Sequence, residues 1–510
     1  MEMWFDEISS FPIANMTTLR APKKRLDKIP PLIAVDRKAA KPLYQQIYEA
    51  YRSRIVSGEL RAGELVPSTR ELARELRISR LPVVNAYSQL LAEGHFESRV
   101  GSGTFIATTL PRYSRSHLWR RGRPGGAPRP VSARAHALPK FQRPNWVEQL
   151  GPFQVGQPDL RTFPVDIWSR LSSRYARELK VRALQYGHPM GLAELRESVA
   201  TYLRTSRGVH CEPEQIMIVS GSQQALDVST RVLLDPGARV WVENPGYWLV
   251  QHVLAAAGCR VIPVPVDSEG LDVAVGIKLA RDARAAFVAP SHQYPLGVTM
   301  SATRRFQLLE WANQAGAWII EDDYDSEYRY DSMPIASLQG LDTRDRVIYT
   351  GTFSKVLFPS LRIGYIVIPP DLVERFAAVR QAMDICPSHA SQAVLAQFIR
   401  EGHFARHIRR MRKVYEERRR VLMEEIEHAF GPSHKIMGAS AGMHVALLLG
   451  NNYCDHDIVM KAAQRKLWLS ALSLSYVAST GRQGLVLGFG NTATHQIPAA
   501  VLSLKTLLDA

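Results

Sequence analysis

The run Trp318-Ile319-Ile320-Glu321-Asp322-Asp323-Tyr324-Asp325 decides the fold. Apolar residues pass directly into a cluster of acids, the pattern of a buried strand that ends at a polar edge. The same kind of apolar run recurs along the chain. Strands are predicted at Gln215 to Val219, Arg239 to Val242, Ala285 to Ala289, Trp318 to Glu321 and Arg346 to Tyr349, with helical stretches between them. Runs apolar throughout and separated by helices predict an α/β fold, its mostly parallel sheet covered on both faces. From about Asp371 the chain turns helical, with a basic stretch at Arg406 to Arg420, and it closes in a smaller α/β portion.

Two further stretches fall at such strand ends, where open sheets place their ligands. Thr350-Gly351-Thr352-Phe353-Ser354-Lys355 sets hydroxyls just before an amine, and Arg362 follows in Leu361-Arg362-Ile363-Gly364. Ser220-Gly221-Ser222-Gln223-Gln224 is a small-residue loop opening a helix, whose first amides suit a phosphate. Taken singly each is weak, because acidic clusters often cap helices and small-residue turns commonly precede them. Together they supply a lysine for a Schiff base, an acid for a pyridine nitrogen and a cup for a phosphate. Those are the three things pyridoxal phosphate needs from a protein.

Upstream the chain has another character. Leu43, Ile47, Tyr48, Tyr51 and Ile55 repeat at helical spacing, and Gly58 stops that helix. Ser68-Thr69-Arg70-Glu71 reads as a capping box opening a second helix, with Leu72, Ala73 and Leu76 on its apolar side. A third helix follows Ser79, with Val83, Ala86, Tyr87, Leu90 and Leu91 predicted inward and Gly94 ending it. A hairpin from Phe96 to Ile106, carrying Gly101 and Gly103, completes a winged helix-turn-helix. In that geometry Arg80, Asn85 and Ser88 lie on the outward face of the groove-reading helix, Arg70 near the DNA backbone, and Arg99 on the wing against phosphate. Each arginine alone is more often a solvated surface charge; only their joint placement on one element favours DNA.

With 510 residues the chain predicts several domains. The boundaries read as an N-terminal arm over 1–40, the winged helix over 41–108, a linker over 109–145 and the cofactor domain over 146–510. Residues 111–145 hold nine Lys or Arg, six Pro and no Asp or Glu, so they are expected to be an extended tether. The formal net charge of +16 favours a polyanionic partner. Four scattered cysteines argue against a disulfide framework or zinc ribbon, and no basic-then-apolar start marks a signal peptide. No apolar run approaches the roughly eighteen residues of a membrane span. A cytoplasmic protein without a membrane partner is expected.

The run from Pro42 to Ala107 resembles the GntR class of bacterial winged-helix regulators. Arg77 stands where that class usually has its turn glycine, and Pro82 in the first turn of the third helix predicts a later start for it. From about Pro144 onward the chain resembles the fold-type I pyridoxal-phosphate enzymes, specifically the aminotransferase domain of MocR-type regulators. The resemblance implies that Lys355 forms the Schiff base, Asp322 pairs with the pyridinium nitrogen and Tyr324 bonds the ring hydroxyl. It implies that Tyr247 stacks on the ring, a core tyrosine being the alternative. Ser222, Gln223, Thr352 and Arg362 would hold the phosphate, and Tyr186 would reach the phosphate of a neighbouring subunit in a homodimer. Arg482, before a strand at Leu485 to Phe489, would grip an effector carboxylate, unless it is a surface arginine. The loop Ser291-His292-Gln293-Tyr294-Pro295-Leu296-Gly297 matches the one beside the ring hydroxyl, with Leu296 where a threonine is usual.

The function expected is a DNA-binding transcription regulator that senses an amine, an amino acid or pyridoxal phosphate itself. The alternative is a catalytic aminotransferase carrying an accessory DNA-binding domain. A metabolic enzyme has no use for such a domain, which favours the regulator.

Overall fold

The structure, a computed structural model, describes residues 33–108, 130–138, 150–330, 336–431, 434–477 and 481–509. The chain divides into two compact units, Met1–Arg129 and Pro130–Ala510. Most of the expected arm and linker lies outside the described residues. Of the arm, Ile33 is buried in the core of the first unit with Val35 packed beside it, so that unit begins before residue 41. Of the linker, Ala133–Ala137 is a short helix whose Ser132 side chain accepts from the Ala135 amide, rather than extended chain.

In the first unit three helices, Leu43–Ser57, Thr69–Glu75 and Arg80–Ala92, precede the hairpin Phe96–Arg99 and Gly103–Ile106. A short strand, Leu65–Val66, adds to the hairpin's second strand. The capping box forms as the sequence demands: Ser68 Oγ accepts from the Glu71 amide at 3.2 Å and Glu71 Oε2 from the Ser68 amide at 3.0 Å. Tyr51, Tyr87 and Phe96 meet edge to face with centroids 5.1 to 5.7 Å apart. Their buried hydroxyls are satisfied, since Tyr87 donates to the Pro67 carbonyl at 2.8 Å and lies 3.2 Å from Tyr51 Oη. Arg77 takes the left-handed conformation (φ 51°) that a turn glycine would, a strain of roughly 1 kcal/mol.

Two expectations for this unit fail. The third helix starts at Arg80, not later. Pro82 lies among the first residues of the helix, whose amides have no intrahelical acceptor, so its missing N–H costs nothing there. Leu91 is exposed at 37% because Leu90 takes the inward position set by Val83, Ala86 and Tyr87.

The second unit is built on an eight-stranded sheet. Its spatial order is Ile216–Val219, Gly364–Val367, Val347–Thr352, Trp318–Asp323, Ala285–Val288, Arg239–Asn244, Arg260–Asp267 and Gly270–Leu271. Every pairing from Val347–Thr352 to Arg260–Asp267 is parallel; Gly364–Val367 runs antiparallel to both neighbours, and Gly270–Leu271 is an antiparallel edge. Ala285–Val288 and Val347–Thr352 are buried at every position, as helices on both faces require. Trp241 and Trp311 stack 3.7 Å apart under one face. The 28-residue helix His403–Phe430 leads to an antiparallel sheet ordered Ile436–Met437, His444–Leu448, Gly484–Gly488 and Ser470–Ala471. Most strands stop within two residues of the predicted ends, but Val347–Thr352 runs three residues past the predicted Tyr349.

Ser68→Ala is expected to cost about 1 kcal/mol of the first unit's stability, because one helix amide loses its acceptor. Urea unfolding followed by tyrosine fluorescence would register this.

Candidate cofactor and DNA sites

The period of the strand Trp318–Asp323 sorts its acids. Glu321, Asp323 and Asp325 turn into the protein, while Asp322 and Tyr324 share the other, half-buried face. On the buried side Arg207 pairs with Asp323, donating from Nε at 2.9 Å, and the Tyr349 hydroxyl donates to the same carboxylate. Glu321 accepts from the amides of Leu338 and Gln339 at 2.9 and 3.0 Å. Asp322 has no such partner: among the described residues no cation bonds it, and the Thr350 hydroxyl lies 3.4 Å away. Burial, then the neighbouring Asp323, pushes its carboxyl up to about 7. Asp322 and Tyr247 line one cavity with Val242, Phe287 and Ile320.

Lys355 lies just past the end of Val347–Thr352, and its Nζ donates to the Gly156 carbonyl at 2.9 Å. Burial lowers the basicity of this amine, with Asp325 and Asp322 opposing. Beside it the backbone closes on itself. Arg362 sits in a left-handed turn (φ 51°) that brings Nη2 within 2.6 Å of the Ser220 carbonyl. Gly221 (φ 86°) caps the helix Ser222–Leu233, and a Cβ there would press on that guanidinium at 3.2 Å. The amides of Ser222 and Gln223 open the helix and have no intrahelical acceptor. The loop is braced from behind: Gln224 accepts from the Ser220 amide at 2.7 Å and donates to Asp384 at 3.1 Å, and Asp384 pairs with the buried Arg380. Thr352 Oγ1 accepts from the Ser354 amide at 3.1 Å.

Thus Lys355, Asp322, Tyr324, Tyr247, Ser222, Gln223, Thr352 and Arg362 gather at the carboxyl ends of the strands. Two residues do not join them. Tyr186 is 82% exposed, and Arg482 is exposed before Gly484–Gly488, where its amide bonds Tyr476. Leu296 packs with Val298, Leu472 and Val486, an apolar contact in place of a hydroxyl.

The sequence reading missed several groups. Gly156, which receives the lysine, is distant in the chain and carries no side chain to betray it. Ser354 lay within a quoted run, but only the fold shows that, among the described residues, its Oγ is buried without a partner. His292 and Asp325 were within quoted runs, yet only the fold brings them together, with His292 Nδ1 3.0 Å from Asp325 Oδ1 and 3.1 Å from Tyr324 Oη.

In the first unit Arg70, Arg80, Asn85 and Ser88 are all exposed, the last three on one helix. Arg80 Nε donates to Thr69 Oγ1 at 3.1 Å, tying it across the turn. Arg99 is paired with Glu97 and lies 4.7 Å over the Phe105 ring, so it is partly committed within the wing.

The donor set fits a phosphorylated pyridine aldehyde. Among the described residues a carboxyl lacks a cation, an amine of lowered basicity stands nearby, and the Ser354 hydroxyl is buried without a partner near a helix start and an arginine. The fold and this cradle define the class of pyridoxal-phosphate proteins with aminotransferase architecture. Residues 153–482 match the class I and II aminotransferases, and residues 43–106 match the gntR family of bacterial regulatory proteins. The Pyrococcus horikoshii kynurenine aminotransferase, solved with PMP, is 28% identical with a TM-score of 0.68, covering 74% of this chain and 96% of that one. The probable rhizopine catabolism regulatory protein MocR of Rhizobium meliloti is 38% identical over 478 residues, 93% of this chain and 95% of that protein. The pyridoxine biosynthesis regulator PdxR of Corynebacterium glutamicum is 33% identical over 449 residues, 88% and 91% of the two chains.

The chain belongs to the MocR-type transcriptional regulators, in which a GntR winged helix-turn-helix is joined to a class I and II aminotransferase domain. Its cofactor is pyridoxal 5′-phosphate. Among the described residues no helix is long and apolar enough to cross a membrane.

Burial raises Glu243 to about 8 and Glu321 to about 7, like Asp322. Each is harder to ionise folded than unfolded. The stability these groups contribute is therefore complete below the ordinary carboxylate range and is lost as pH rises through about 7 to 8. Cofactor-free protein should lose thermal stability between about pH 4.5 and about pH 8, and Asp322→Asn should lose less; melting curves across that range test the sign.

Proposed function

We propose that the protein is a pyridoxal-phosphate-dependent sensor whose cofactor domain controls how a dimer sits on its operator. The observation that carries this reading is the pairing of Lys355 with an acid lacking a cation, in one chain with an exposed groove-reading helix. Lys355 holds the cofactor covalently, and Asp322 faces its ring nitrogen. That carboxylate keeps the nitrogen protonated and the ring electron-withdrawing, which is the chemistry the cofactor supplies to a bound amine. Tyr324 faces the ring hydroxyl and Tyr247 covers the ring. Ser222, Gln223, Thr352 and Arg362 receive the phosphate, whose charge suits the helix start and the guanidinium.

The dimer is supported by an exposed apolar stretch. Leu179, Val181, Leu184 and Tyr186 are 42 to 82% exposed along one segment, an arrangement expected of an interface rather than a solvated surface. Tyr186 would then reach a partner's phosphate. A regulator of pyridoxine biosynthesis among the relatives supports the cofactor itself as an effector. Effector and DNA must change each other's affinity by the same factor if they act on shared states. On the DNA, Arg80, Asn85 and Ser88 read base edges while Arg70 and Arg99 meet phosphates.

Purified protein loaded with cofactor should absorb in the visible, and Lys355→Ala should abolish that band; a colourless loaded wild type would refute the site. Arg80→Ala should weaken operator binding by about 1 to 3 kcal/mol while leaving random DNA little affected. Equal loss on both, measured by fluorescence anisotropy, would make Arg80 a phosphate contact instead.

A further inference from the structure

We propose that His292 is a positioning residue for the cofactor: held by Asp325, it fixes the Tyr324 hydroxyl so that its proton points at the ring hydroxyl oxygen. This rests on Tyr324 facing that oxygen, as proposed above.

The geometry begins with the carboxylate. His292 and Asp325 side chains are each 1% exposed, and His292 Nδ1 lies 3.0 and 3.1 Å from the two Asp325 oxygens. A carboxylate only accepts, so Nδ1 carries the hydrogen. The same nitrogen is 3.1 Å from Tyr324 Oη, and sharing one N–H makes that oxygen an acceptor there. A hydroxyl has a single proton. With its oxygen turned to His292, the Tyr324 proton remains for the other side, the half-buried face it shares with Asp322.

The ring cannot choose otherwise. Among the described residues His292 Nε2 is buried without a partner, so a hydrogen there would be an unsatisfied buried donor, whereas one on Nδ1 is accepted by Asp325. A Cβ on Gly442 would overlap the imidazole, and one on Gly297 would lie 3.0 Å from Nε2, so two glycines give the ring its slot. The groups facing it are few. His444, from the strand His444–Leu448, lies tilted by 48° at 4.7 Å between centroids and is kept neutral by burial, its Nε2 3.2 Å from the Pro295 carbonyl. Tyr294 lies against His444, and Lys355 acts on His444 and Asp325 electrostatically, as Arg329 does on Asp325.

A donor on the ring oxygen draws off its negative charge. That weakens the oxygen's hold on the proton of the lysine-bound nitrogen, which then leaves at lower pH. Losing the donor raises the pH at which the visible band shifts.

The experiment is a pH titration of the visible absorbance of full-length, cofactor-loaded protein. His292→Gln, whose amide cannot reach the Nδ1 position, should raise the midpoint by about one unit, as should Tyr324→Phe. His292→Asn places an amide nitrogen where Nδ1 was and should keep the wild-type midpoint. Because His292 acts through Tyr324, the double variant should shift no further than Tyr324→Phe alone. If His292→Gln does not fold, His292→Ala serves: it leaves no nitrogen beside Tyr324 Oη and should raise the midpoint in the same way. An unmoved midpoint, equal behaviour of the Gln and Asn variants, or a full His292 shift without Tyr324 would overturn the inference. A wild type with no visible band would instead overturn the cofactor site.

Discussion

The cofactor unit depends on a largely buried carboxyl to which no cation among the described residues is bonded. Asp322 gains its position from a strand paired on both sides, in parallel register with Val347–Thr352 and Ala285–Val288. Its neighbour Asp323, on the opposite face, is compensated by Arg207 and Tyr349 within the protein. That asymmetry is chemical. One acid is satisfied by the fold, and the other waits for a cation that the fold does not bring. A buried charge without a partner is expensive, so a pyridinium placed against Asp322, as proposed, would stabilise the folded protein.

The rest of the site is a matter of how closely backbone can approach backbone. Gly364 lies against Gly221 and the Gly351 carbonyl, so that three strand ends converge around the start of the helix Ser222–Leu233. The strained turn at Arg362 aims its guanidinium across the same opening. Left-handed conformation at an arginine costs roughly 1 kcal/mol and persists because the adjoining strand and turn leave it no alternative. Arg77 in the first unit repeats the device, there to turn one helix into the next. Regulation then joins two units that each fold around a core of their own, the smaller one closed by its Tyr51, Tyr87 and Phe96 cluster.

Much of this was legible in the chain because the signals were local. The capping box at Ser68 and Glu71, the inward spacing of Val83, Ala86 and Tyr87, and the apolar strands that end in acids depend on neighbours a few residues away. Pro82 misled by its residue type, since its effect depends on where the helix begins. Leu91 misled for a related reason: hydrophobicity alone does not say which of two adjacent leucines faces the core. The docking of Ile33 and the helix at Ala133–Ala137 lay in stretches whose composition reads as unstructured.

By itself the sequence determined the order of elements, the two-part organisation and the kinds of side chain that can hold a phosphorylated cofactor, because residue type and spacing set these. Tertiary structure decided which of five consecutive positions from Glu321 to Asp325 face the cavity, where Lys355 rests, and that His292 meets Asp325 and Tyr324. Those outcomes turn on distances between segments far apart in the chain, fixed only when sheet register and close packing bring them together.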